Sequence, residues 1–88
     1  MDPGRSAGER AEAIAYSERL VQLQPKRANA YSALGGTYFV SWFKTKDRTD
    51  RDKSLAAYNK FLKLAPPRDP FRPQAMRIVA MLKGNIKS

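Results

Sequence analysis

Apolar side chains recur along this chain at steps of three and four, and no segment alternates at steps of two. That period belongs to amphipathic helices rather than strands, so the pattern predicts an all-α chain of four helices. The first helix is expected over about 7–24. Ala13, Tyr16, Leu20 and Leu23 form one apolar stripe on it, and Ile14 and Val21 form a second. A helix with two apolar stripes expects neighbours on two sides. Ser6-Ala7-Gly8-Glu9 has the S-x-x-E form of a capping box, and Pro25, which has no backbone N–H to donate, marks the end. Residues 1–5 read as a disordered tail ahead of a single helical domain over 6–88.

The second helix, about 27–46, carries Tyr31, Leu34, Gly35, Tyr38, Phe39, Trp42 and Phe43 at the spacing of a helical face. Ala28, Ala30, Ala33 and Val40 make it apolar nearly all round, so it is the expected central element. Gly35 and Gly36 inside it each cost roughly 1 kcal/mol against alanine, a cost that close helix–helix approach would offset. Thr49 or Asp50 can cap a third helix over about 50–65, with Leu55, Tyr58, Phe61 and Leu62 on its apolar side. After Pro66-Pro67, Asp69 can cap a fourth over about 70–83, with Pro70 at its first position and Gly84-Asn85 as its stop.

Composition narrows the chemistry. The 88 residues include no Cys and no His, which removes disulfides, Cys/His zinc sites and imidazole catalysis. No catalytic residue, metal site or cofactor is expected. Asp47, Asp50 and Asp52 are interleaved with Arg48, Arg51 and Lys53, and read as caps and solvated charge rather than a cation site. Hydrophobic residues make up 42% of the chain, enough for a folded core. No apolar run is long enough to span a membrane, and residues 1–15 have no signal-peptide core, so a cytoplasmic protein is expected. Lys and Arg total 17 against 8 Asp and Glu, a net +9, and most of the excess lies beyond residue 43. Its densest run is Lys44, Lys46, Arg48, Arg51 and Lys53. A basic half of this kind suits a solvated face, nucleic acid or an anionic surface.

The chain repeats itself. AIAYSERLVQLQP (13–25) aligns without a gap with SLAAYNKFLKLAP (54–66), pairing Ala15 with Ala56, Leu20 with Phe61, Leu23 with Leu64 and Pro25 with Pro66. Between them, Tyr31, Leu34-Gly35 and Tyr38 have the spacing of the first helix of a tetratricopeptide repeat. Ser54, Tyr58, Phe61 and Pro66 then fall on the signature of the second helix, and Ala13, Ser17, Leu20 and Pro25 on that of a preceding one. Over about 10–67 the chain resembles that family. The resemblance implies a right-handed, antiparallel helix-turn-helix solenoid fragment of about one and a half repeats plus a capping helix. The two prolines are 41 residues apart rather than the family's 34, an excess of two helical turns. Two helices each one turn longer, or a longer loop over 44–50, would accommodate it.

The same resemblance implies a non-catalytic protein-interaction module. The family's inner groove would fall on Asn29, Ser32, Gly36, Phe39 and Val40, with Phe43 adding to an apolar lining that suits an amphipathic helix. Members that bind peptide carboxylates place Lys and Asn where this chain has Ser32 and Gly36, so that mode is not expected. Phe39 and Phe43 fit the core equally well. Trp42 and Phe43, followed by Lys44 and Lys46, suit core burial, a protein contact, or a base or lipid surface. Stacked repeats depend on their neighbours, and this chain opens on the second half of one. Self-association, a larger complex or a completing partner would meet that need, and Ile14 and Val21 are the expected self-association face. The alternative function is nucleic-acid binding through the positive surface of 44–77.

Overall fold

The structure is a computed structural model describing the backbone of residues 3–84 and the side chains of residues 8–84. Four helices account for most of it: α1 (Pro3–Leu23), α2 (Ala28–Thr45), α3 (Arg48–Leu64) and α4 (Arg72–Gly84). Among the described residues there is no strand.

Three helix starts differ from the sequence expectation. Backbone helix α1 is already under way at Pro3, where a missing N–H costs nothing, so Ser6 is an interior residue and not an N-cap. Of the tail expected over 1–5, residues 1 and 2 lie outside the described residues. Helix α3 starts at Arg48 because Asp47 is its cap, with Asp47 Oδ1 accepting from the Thr49 N–H at 2.8 Å. Asp50, an expected cap, instead accepts from Ser41 Oγ at 2.7 Å and ties α3 back to α2. At α4, Asp69 does accept from the Phe71 N–H at 2.8 Å, but Pro70 lies in the turn and the helix begins at Arg72. Asn85, half of the expected stop, lies outside the described residues.

Only Lys46 and Asp47 separate α2 from α3. The span 44–50 is therefore mostly helix and not a loop. Helix α2 ends where Lys46 turns into the left-handed region (φ 60°), its N–H donating to the Trp42 carbonyl at 2.6 Å. The Lys46 ammonium then sits 5.0 Å from the Trp42 ring centroid and 4.6 Å from that of Phe43.

Each helix packs chiefly on its neighbours along the chain, most extensively α2 on α3. The result measures 42 × 35 × 19 Å, about two helix diameters thick. The core cluster is Tyr58, Phe61, Ala65, Ala75 and Val79, with Phe39, Tyr31 and Phe71 packed against it. Phe61 and Phe71 meet edge-on at 5.3 Å. Gly35 is where α2 and α3 come closest: a Cβ there would lie 2.9 Å from the Tyr58 ring. Beside it, the buried Ser54 hydroxyl donates to the Gly35 carbonyl at 2.8 Å. Gly36 does not share this role, since a Cβ on it would meet only the Tyr58 hydroxyl, at 3.5 Å.

Arg72 closes the other end of α3, its Nη1 donating to the carbonyls of Leu62 (2.8 Å) and Ala65 (3.1 Å). A cation there also meets the negative end of the helix. Arg72→Ala is expected to lower stability by about 1–2 kcal/mol, read as a lower urea midpoint at unchanged m-value. A midpoint equal to that of the parent would show that the guanidinium contributes nothing.

Candidate functional site

Two clefts flank α2. The larger, about 580 Å³, is bounded by Ala13 of α1 and by Ser32, Gly36 and Val40 of α2, with Tyr58 and Phe71 also lining it. At 100° per residue, Ser32, Gly36 and Val40 share one side of α2. The small residues at positions 13, 32 and 36 leave the space that larger side chains would fill. Three of the six groove residues expected from the resemblance thus come together. The others do not join them. Asn29 is exposed but lies outside the cleft, and Phe39 packs against the core. Phe43 is 63% exposed, near Phe39 at 6.5 Å and beneath Lys46. Trp42 is buried. The contribution of α1 through Ala13 was not legible, because the sequence does not say which side of α1 meets α2.

The second cleft, about 440 Å³, opens on the opposite side of α2 and was not foreseen. Val21 of α1, Tyr31, Leu34 and Tyr38 of α2, and Ala56 and Ala57 of α3 line it, with Glu18 on one rim and Lys53 and Lys60 on the other. Each lysine lies over a ring, Lys53 5.3 Å from Tyr38 and Lys60 5.9 Å from Tyr31. The repeated Ala15/Ala56 and the Tyr31–Tyr38 spacing were its available signals.

The hydroxyl of Tyr38 donates to the Glu18 carboxylate. Burial first, then that hydrogen bond and the charges of Glu18 and Asp50, push its ionisation well above the usual value near 10, and burial also raises Tyr58. The unfolded chain therefore loses these protons before the folded one does. Their contribution is fully present below about pH 10 and is lost as pH rises beyond it. Stability is expected to fall less steeply from pH 9 to 11 in Tyr38→Phe than in the parent, at a cost of about 1 kcal/mol at neutral pH. Parallel urea-midpoint profiles for the two proteins would contradict this.

The basic run is divided between two clefts and the α2–α3 turn. Lys44 lines the larger cleft, Lys53 the smaller, and Lys46 lies over Trp42 and Phe43. Arg48 is exposed, whereas the Arg51 side chain is largely buried and lies 3.4 Å from Asp52. Ile14 and Val21 are half-buried, with Val21 lining the smaller cleft. The outward side of α1 carries the other stripe instead, with Tyr16 71% and Leu23 69% exposed. Among the described residues, no cluster of acidic side chains could hold a metal ion, and no helix is long and apolar enough to cross a membrane.

Compared with protein-family models, curated proteins and solved structures, the chain matches none.

Proposed function

We propose that this chain is a non-catalytic, cytoplasmic protein-interaction module or scaffold, built on tetratricopeptide-like right-handed stacking of its helices and working by self-association or within a larger assembly. One observation carries the reading: Ser32, Gly36 and Val40, positions that the resemblance assigns to a partner groove, open together on one cleft opposite Ala13. Val40 is 50% exposed there. An amphipathic helix can lay an apolar side into such a groove. The chain-neighbour packing of the helices and the tight Gly35–Tyr58 crossing support the stacking. Within the basic run, Lys44 and Lys53 line different clefts and the Arg51 side chain is largely buried, which leaves fewer of its members together for a phosphate backbone.

Immobilised protein incubated with an extract of its source cells is expected to hold a protein partner through a high-salt wash, and Val40→Asp to lose it. Val40 is preferable to Phe39 for this test because Phe39 supports the core. Capture that is carried by nucleic acid and collapses with salt, by a power of roughly 0.9 per phosphate contacted, would favour the alternative. Capture that is indifferent to Val40→Asp would remove the groove from the account.

A further inference from the structure

We propose that the smaller cleft is a second docking site, on the side of α2 away from the Val40 groove, and that its occupant is an acidic amphipathic helix of another protein. The site goes beyond the reading above, because Ser32, Gly36 and Val40 take no part in it.

Helices α1 and α3 both pack on α2, but not extensively on one another. The space between them is therefore a trough with α2 as its floor. Tyr31, Leu34 and Tyr38 supply that floor, and Val21 and Ala56 belong to the two walls. Val21, Tyr31 and Leu34 are half-buried and Ala56 is exposed, which is the apolar surface an occupant would cover. The floor is also held in place. The Tyr31 hydroxyl donates to the Pro25 carbonyl at 2.7 Å, and the Tyr38 hydroxyl donates to the Glu18 carboxylate. Rings anchored in this way lose little freedom when a partner settles on them.

Charge and length specify the occupant. Tyr31 and Tyr38 are seven residues apart, as are Lys53 and Lys60, and seven residues make two helical turns, about 10 Å. Lys60 lies over Tyr31 and Lys53 over Tyr38, so a lysine marks each end of the trough. Both lysines are exposed, and among the described residues neither is ion-paired. The carboxylate that lines the cleft, Glu18, stands at the Tyr38 end and already accepts from that hydroxyl. Lys60, at the other end, has no such neighbour in the lining. A helix lying along α3 matches this spacing when acidic residues two turns apart bracket apolar residues on the intervening turn. Its carboxylates reach Lys53 and Lys60, and its apolar side chains cover Val21, Tyr31 and Leu34. A basic helix would bring like charge onto both lysines, and a phosphate backbone would leave the apolar floor uncovered. Exposed ion pairs add little affinity, so apolar burial holds the helix, while the lysines select and orient it.

Fluorescence anisotropy with two synthetic helical peptides is the test. One carries two glutamates two turns apart around a pair of leucines; its twin has lysines in place of the glutamates. The parent is expected to bind the acidic peptide about tenfold more tightly than the twin. Lys60→Glu should weaken that binding more than Lys53→Glu, because Glu18 already offsets Lys53. The double reversal, Lys53→Glu with Lys60→Glu, should exchange the preference and leave helical circular dichroism unchanged, since both positions are exposed. Ala56→Gln, also at an exposed position of α3, fills the trough and should weaken both peptides. Val40→Asp should alter neither, which separates this site from the groove on the other side of α2. Binding of neither peptide by the parent, equal binding of both, or a preference that survives the double reversal would overturn the proposal. So would displacement of the acidic peptide by dodecanoate or by duplex DNA at lower concentrations than the unlabelled peptide requires, since a small amphiphile or a nucleic acid would then be the occupant.

Discussion

Phe61→Ala is expected to cost about 3–5 kcal/mol, a large part of the roughly 4–13 kcal/mol available to a chain of this length. Phe61 is fully buried at the centre of the core cluster, and its ring meets Phe71 edge-on. Truncation removes the side chain that joins α3 to the start of α4 and leaves a cavity among groups held by helix backbone, where collapse is limited. Phe61→Leu, which keeps most of the volume, should lose far less. Urea unfolding followed by helical circular dichroism measures both. A loss below about 1 kcal/mol for the alanine variant would mean that α3 and α4 do not share this core.

Gly35 and Gly36 are adjacent, yet alanine should act in opposite directions at the two positions. At Gly35 the new methyl group would lie 2.9 Å from a Tyr58 ring that is itself buried, so the helices must separate or the ring must shift. Overpacking of this kind costs about 1–3 kcal/mol, reduced by up to about 1 kcal/mol of helix propensity. At Gly36 the nearest atom is at ordinary contact distance, so the propensity gain stands nearly alone. Gly35→Ala should therefore destabilise, and Gly36→Ala should stabilise by up to about 1 kcal/mol. Tyr58→Leu should weaken the Gly35→Ala penalty, because the ring that creates it is gone. Equal effects at the two glycines would show that the helices do not meet at Gly35.

These particulars show what was legible in the sequence. Four helices followed from period and punctuation, and α2 matched its expected span to within a residue at each end. The helix starts at 47–50 and 69–72 were less legible because several side chains could cap, and Asp50 was drawn to Ser41 by tertiary structure. The two stripes of α1 illustrate the same limit. Both were visible, but periodicity identifies faces and not partners. Packing on α2 engaged Ile14, Ser17 and Val21 and left Tyr16 and Leu23 outside. Likewise, Ser32, Gly36 and Val40 share a helix face by spacing alone, whereas Phe39 is committed to the core by α3, a neighbour that no local pattern names. The run from Lys44 to Lys53 is dense in sequence, but it spans the turn at Lys46–Asp47, so Lys44 falls on one helix and Arg48, Arg51 and Lys53 on the next.

Hydrogen exchange tests the central claim most directly. Helices α2 and α3, nested through Gly35, Ser54 and Tyr58, should protect their amides most strongly. Helices α1 and α4, each packed chiefly on one neighbour, should exchange faster. Protection in α1 and α4 equal to that of α2 and α3 would contradict the account.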